Sequence, residues 1–529
     1  MLALGSSWSA LGRHVIAGPS SLIRCSRCVR AASSRAAGEG WETVIGLEIH
    51  AQLRTGRKLF SRALTSHNDP VNTHVEPLDA AFPGSLPVLD PEAIRLSLLT
   101  ALALDCKVNP RSTFDRKHYF YHDIPSSYQI TQHYNPLANS GRVRIQQGEN
   151  GSTRSFDVGI IQLQVEQDTA KSQTIGSEVL VDLNRAGTGL MEIVTRPDMR
   201  SPEEAGAFVR KLQGLLRRVG SGDGDMEKGN LRVDANVSVH RPGTAFGTRC
   251  EIKNLNSVRF LQTAIEAERR RHIAHYETNS EPLRQETRQL DESTGETYAL
   301  RSKEEAEDYR YMPDANLPAM IIDPGYLDTL RSQIPEMPWD TVQRLTAEFG
   351  VVKRDVETLV ALDEYEAKGV AYFEQVVQGD KQIGKKASNW IAHELLGQLG
   401  KVGREWDPRV VPSGLMRELV QSVENGTITG TTGKAIIRHA VSLSPDDAGA
   451  IDGPLSQVLE TLGLTPVSSD DLRATCEAAI AALPKEADAV RKGNQKVAMR
   501  LVGEVMKRSQ GRADAKKARE IILEILADA

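Results

Sequence analysis

Apolar and polar positions alternate with a period of two through the first half of the chain. From residue 41 to about residue 323, short alternating segments are separated by Gly, Pro and Asn turns, with a few helical stretches between them. This pattern predicts an α+β fold built on a mostly antiparallel sheet. Successive side chains of a strand point to opposite sides, so each segment sorts into two faces. In VIGLEIHAQL, Glu48, His50 and Gln52 oppose Leu47, Ile49, Ala51 and Leu53. In GIIQLQVEQD, Gln162, Gln164, Glu166 and Asp168 oppose Ile161, Leu163 and Val165. LRVDANVSVH sets Arg232, Asp234, Asn236, Ser238 and His240 against its Leu, Val and Ala positions, and shorter runs add Glu192 and the pair Glu251 and Lys253. After Pro335 the period lengthens to that of helices, over 339–349, 356–373 and 415–424. A polar break at 465–471 (TPVSSDD) ends in residues suited to capping a further helix. These shifts divide the chain into a leader (1–38), a mixed unit (39–330), an all-helical unit (331–464) and a small helical tail (465–529).

Glu and Asp are poor strand formers, so acids recurring in mid-strand point to a shared site. Carboxylates converging on a concave face repel one another unless a hard cation lies between them, and oxygen ligands suit Mg²⁺. His50 departs from that set, because imidazole favours zinc, manganese or iron; it stands either behind the ligands or in a mixed-ligand site. The plainer alternative is a solvated sheet face.

A second stretch, FDRKHYFYHDIPSSYQITQ, interleaves Arg116 and Lys117 with Tyr119, Phe120, Tyr121 and Tyr128. Basic groups hold phosphates while rings stack on bases, which fits ATP or an RNA terminus; the alternative is a strand and loop whose aromatics fill the core. Gly187 and Gly189, just before Glu192, either admit a ligand to the backbone or form a turn. GTTGK at 430–434 lacks the earlier Gly of a P-loop, GSGDGD at 220–225 is no dinucleotide fingerprint, and DGDMEKG is no calcium loop. Near the C-terminus a basic helical stretch presents Lys492, Lys496, Arg500 and Lys507 beside an apolar stripe of Val497, Leu501, Val502, Val505 and Met506. It reads as an RNA-backbone surface or as an ordinary solvated helix face.

Composition narrows the classes. The chain has 529 residues, 40% hydrophobic and 26% charged, which excludes collagen-like, mucin-like and largely disordered proteins. Its most apolar stretch, 96–106, is about half the roughly 20 residues that a bilayer requires, so no membrane span is expected. The first 38 residues hold five Arg and eight Ser with no Asp, Glu or Lys, the composition of a mitochondrial transit peptide, and matrix localisation follows. Cys25 and Cys28 fall inside this leader and receive no function. Elsewhere acids outnumber bases, so any RNA contact has to be local.

The motifs ETVIGLEIHAQL, FDRKHYFYHDIPSSYQI, VDLNRAGTGLMEIVTRPDMRSPEEA, LRVDANVSVH, EIKNLNSVRF, QETRQLDESTGET and DYRYMPDANLP together resemble the B-type family of aspartyl/glutamyl-tRNA amidotransferase subunits in its mitochondrial form, from about residue 41 to the C-terminus. The resemblance implies ATP-dependent conversion of Glu-tRNA(Gln) to Gln-tRNA(Gln), in an N-terminal cradle domain. It implies a Mg²⁺ cluster of Glu48, His50, Glu166 and Glu192 with Asp234 and Glu251 nearby, Lys117 contacting phosphate, and tRNA on the helical and tail domains. It also implies an A-type amidase partner supplying ammonia and a small third subunit of type C or a fungal equivalent. Whether Asp-tRNA(Asn) is also used stays open. Bacterial relatives often carry Glu-Glu-Asp where this chain has Glu166-Gln167-Asp168, and some hold zinc through cysteines where residues 59–87 here have none, so no zinc is expected. The competing reading is a noncatalytic tRNA-binding scaffold of the same complex. A metal-dependent phosphohydrolase, active without tRNA, is a third.

Overall fold

A computed structural model describes residues 40–527 apart from 67, 280, 303–308, 364–367, 444–450 and 452. The leader, with Cys25 and Cys28, lies outside the described residues. Strands follow in chain order as β1 (Glu42–Gln52), β2 (Lys107–Val108), β3 (Arg111–Ser112), β4 (Asp115–His118), β5 (Tyr128–Thr131), β6 (Ala138–Ile145), β7 (Phe156–Gln167) and β8 (Lys171–Ile175). They continue as β9 (Glu178–Asp182), β10 (Gly189–Thr195), β11 (Leu231–His240), β12 (Cys250–Leu255), β13 (Glu286–Asp291), β14 (Glu296–Ser302), β15 (Met312–Pro313) and β16 (Met320–Ile321). Nine of them form one sheet in the order β14-β13-β12-β11-β1-β10-β7-β6-β2. Every neighbouring pair is antiparallel except β12 with β13.

Strand β1 sits in the middle of this sheet, and its alternation decides the layering. Ile45, Leu47 and Ile49 are fully buried, in one core with side chains of helices α1 (Pro91–Ala103), α2 (Pro202–Val219) and α3 (Val258–Thr278). The opposite, polar face is roofed in part by the small β15-β4-β5 sheet. Helix α2 shows why these elements form locally. Ser201 caps it by accepting from the Glu204 N–H, Pro202 and two acids open it, Arg217 and Arg218 close it, and Gly220 ends it at φ 77°.

Two further apolar clusters follow the sheet unit, one spanning Leu345 to Leu459 and one spanning Leu472 to Leu526. The helix expected over 356–373 is two helices, Lys353–Ala361 and Gly369–Val377. Lys368 is left-handed at φ 55°, and a Cβ on Gly369 would come within 2.5 Å of Leu362 Cβ and 2.6 Å of the Leu359 carbonyl oxygen. The close return of the chain there breaks the helix. In the polar break, Ser468 caps the helix Ser469–Ala482 by accepting from the Asp471 N–H. Ser468→Ala is expected to lower stability of the tail by about 1 kcal/mol, read by urea denaturation.

The basic stretch near the C-terminus is not one helix. Arg500 and Lys507 lie on Ala498–Arg508, whose Leu501, Val502 and Val505 are buried, while Lys492 and Lys496 precede it in the turn after Pro484–Arg491. All four basic residues are exposed, and Arg500 is 3.6 Å from Glu486.

Candidate active site on the polar face of the central sheet

Register brings distant residues together. In β1, Glu48 faces Asp234 of β11, while His50 faces Glu192 of β10 on one side and Arg232 of β11 on the other. Glu192 in turn faces Gln164 of β7, and Glu166 lies two residues further along that strand. One ligand atom from each of Glu48, His50 and Glu192 lies within 4.8 Å of the other two. His50 Nε2 is 3.4 Å from Glu166 Oε1 and 3.9 Å from Glu192 Oε2.

The face is not simply solvated. Glu166 is 3% exposed and Gln164 6%, because β5 lies over them. Gln164 donates to Glu192 (2.5 Å) and to Thr131 Oγ1 (3.2 Å), and the Thr131 hydroxyl donates to Glu166 (3.1 Å). These contacts fix the carboxylates without neutralising them. On β12, two strands from β1, Lys253 places its ammonium 3.0 Å from Asp234 of β11 and 3.2 Å from Glu251. Asp234 and Glu251 therefore belong to a lysine-centred group beside the Glu48, His50 and Glu192 cluster.

The electrostatics follow from burial. Burial raises the carboxyl of Glu192 well above its ordinary range, with Glu166 and Glu48 adding to it. Burial likewise raises Glu166 against the pull of Lys117, and raises Glu48 and Asp234 against the pull of Lys253. His50 is lowered to about 3, by burial first and then by Arg232, Lys117 and Lys253. It is neutral at physiological pH and free to offer a lone pair. A neutral imidazole among buried, mutually repelling carboxylates is a donor set that fits a divalent cation.

The FDRK stretch is partly core and partly exposed. Phe114 is buried edge-on against Phe60, whereas Phe120 and Tyr121 stand exposed. The Lys117 ammonium lies 4.6 Å from the centroid of the Tyr309 ring; burial works against its charge, but Glu166, Tyr311 and Glu192 raise its pKa. Gly187 lies in a turn and Gly189 opens β10. Gly187 is left-handed at φ 81°, and the two glycines accept from the N–H groups of Leu59 and Leu53.

Sequence reasoning gave no role to Thr131, Arg232, Lys253, Tyr309 or Tyr311. Arg232, 2.8 Å from Asp168, and Lys253 lay in plain view on alternating polar faces. Tyr311, stacked 3.8 Å from His133, lies in the DYRYMPDANLP motif but on no alternating face.

Residues 43–328 match the family described as the GatB/GatE catalytic domain, and residues 371–526 match the GatB domain. The chain belongs to the GatB/GatE family. It is 67% identical to a protein of Cryptococcus neoformans var. neoformans serotype D named as the mitochondrial B subunit of glutamyl-tRNA(Gln) amidotransferase, over 98% of this chain and 100% of the relative. A Laccaria bicolor protein of the same name is 45% identical over 92% of each chain. The B subunit of the aspartyl/glutamyl-tRNA(Asn/Gln) amidotransferase of Rhodospirillum rubrum is 41% identical over 91% of this chain and 96% of its own. The GatB/GatE catalytic match contains the central sheet from its second residue to its last strand, and with it every acid of the cluster.

Proposed function

We propose that this chain is the ATP-dependent transamidase subunit that converts Glu-tRNA(Gln) to Gln-tRNA(Gln) in the mitochondrial matrix. The observation that carries this reading is the convergence of Glu48, His50 and Glu192 on one point. A γ-carboxylate is a poor acyl electrophile. Attack of its oxygen on the γ-phosphorus of ATP releases ADP and leaves an acyl phosphate; ammonia then displaces phosphate to give the amide. Bound at Glu48, His50 and Glu192, with Glu166 behind them, Mg²⁺ would neutralise phosphate oxygens. Lys117 contacts a phosphate of ATP, Gln164 and Thr131 hold the carboxylates in place, and the β15-β4-β5 roof limits access of water to the acyl phosphate.

On this reading residues 1–38 are a transit peptide, 39–330 the catalytic cradle, 331–464 a helical domain and 465–529 a tail that meets tRNA through Lys492, Lys496, Arg500 and Lys507. The partners are an amidase that releases ammonia and a small third subunit. The test is reconstitution with the amidase, following γ-phosphate transfer to Glu-tRNA(Gln). Transfer is expected to need both tRNA and a divalent cation, and to be lost in Glu48→Gln with tRNA binding kept. Full activity in that variant would favour the scaffold; ATP turnover without tRNA would favour a phosphohydrolase.

The shifted groups also predict a pH signature. Acids whose folded pKa is raised bind more protons when folded, so their contribution falls as pH rises above about 4.5, the ordinary value. His50, with its pKa lowered, acts in the opposite sense and destabilises the fold as pH falls below 6.5. Mg²⁺ or Mn²⁺ is therefore expected to raise Tm more at pH 8 than at pH 5, measured by thermal unfolding of the metal-stripped protein. An equal shift at both would count against the cluster as ligand.

A further inference from the structure

Strand β12 does not run regularly beside β11. Val233 faces Leu255 and Ala235 faces Ile252, so the single residue Asp234 has both Lys253 and Asn254 across from it. Asn254 is left-handed at φ 61°, a conformation that asparagine tolerates better than most residues. Its N–H donates to Asp234 Oδ1 (3.2 Å), and the Lys253 ammonium donates to Asp234 Oδ2 (3.0 Å) while lying 3.2 Å from Glu251 Oε1. Bulges of this kind re-aim side chains beside functional sites. This one delivers an ammonium from β12, two strands from β1, onto Asp234, the β11 residue that faces Glu48.

The polar face thus holds two anionic groups of different character. Glu48, His50 and Glu192 converge with no lysine or arginine ion-paired to them among the described residues, whereas Asp234 and Glu251 already share a cation. Centres that transfer phosphoryl groups with two metals place the second ion within about 4 Å of the first; Asp234, which holds Lys253, faces Glu48 across one strand spacing of about 4.8 Å. We propose that Lys253 is the built-in second cation of this site. The chain then binds one divalent ion, at Glu48, His50 and Glu192, and Lys253 stands where a second would sit. An ammonium has three donors; one meets Asp234, Glu251 lies 3.2 Å away, and a donor is left for an oxygen of the transferring phosphoryl group. The Lys253 side chain is 31% exposed, so substrate can reach it. This inference rests on the phosphoryl-transfer reading above.

Mn²⁺ alone, titrated into the reconstituted complex and followed by electron paramagnetic resonance, tests it. Wild type is expected to bind one ion that Glu192→Gln removes. Lys253→Met is expected to gain a second ion, lost again on adding Asp234→Asn, whereas Lys253→Arg stays at one. Asp234→Asn alone is expected to keep the single ion at unchanged affinity, a readout that survives should Lys253→Met fold poorly. Two ions in wild type, no gain in a folded Lys253→Met, or loss of the ion in Asp234→Asn overturns the role of Lys253 while leaving the metal cluster standing. No ion in wild type would overturn the cluster itself, and this inference with it.

Discussion

Glu192→Gln is expected to slow Gln-tRNA(Gln) formation by about 10³-fold, roughly 4 kcal/mol of transition-state stabilisation, with no loss of fold stability. The two halves of this result have one cause. Glu192 is held next to Glu48 and Glu166 in a place where burial disfavours its charge. A neutral amide of the same shape removes that repulsion, and it keeps an oxygen to accept from Gln164. The metal-free variant should melt at the same temperature as wild type or higher. It should also lose the Tm rise that a divalent cation brings. Charge that destabilises the empty fold and stabilises the reacting phosphate is the usual trade at a catalytic centre. A variant that keeps its rate, or one that loses rate only because it unfolds, would reject the role given to Glu192.

Asp79→Ala is expected to cost about 3–5 kcal/mol, the range seen when one member of a buried ion pair is removed. Lys58 is fully buried, and its ammonium donates to Asp79 (3.0 Å) and to the carbonyls of His74 (2.7 Å) and Leu183 (3.0 Å). Asp79 also accepts from Ser61 Oγ and the Glu76 N–H. The pair ties the loop after β1 to the turn that leads into β10. Gly187 lies at the seam, where an added Cβ would come within 2.9 Å of Asp79 Oδ1. Loss of Asp79 strands a charged lysine in the interior, and burial already works against that charge. Lys58→Met should be comparably damaging because it leaves Asp79 unpaired. The double variant Lys58→Met/Asp79→Ala should cost less than the sum of the two, measured as a double-mutant cycle by denaturant unfolding. Additive losses would mean that the two residues act separately.

Both predictions concern parts of the molecule that were unequally legible. The polar faces of β1, β7, β10, β11 and β12 follow from alternation, since a strand's period of two is set by its own backbone and needs no neighbour. The cap at Ser468 is equally local. The Lys58–Asp79 pair joins residues 21 apart and has no periodic signature. The end of the helix before Gly369 depends on how closely the chain returns to Leu359 and Leu362, a contact that periodicity does not signal.

By itself the sequence determined which side chains of β1 and β11 shared a face, where helices replaced strands, and the family likeness carried by its motifs. Ile161, expected beside Leu163 and Val165, is instead exposed at an irregularity where β7 meets β10, and Ile160 is buried. Only the tertiary structure decided that β1 lies between β10 and β11, which brings Glu48, His50 and Glu192 to one point. It also decided that Asp234 and Glu251 turn to Lys253. The physical reason is one of range. Face and period come from steric rules acting over a few residues, whereas strand order and register come from pairings such as His50 with Glu192 and Glu48 with Asp234, and the bulge from the pairing of β11 with β12, which exist only once the shared core has formed.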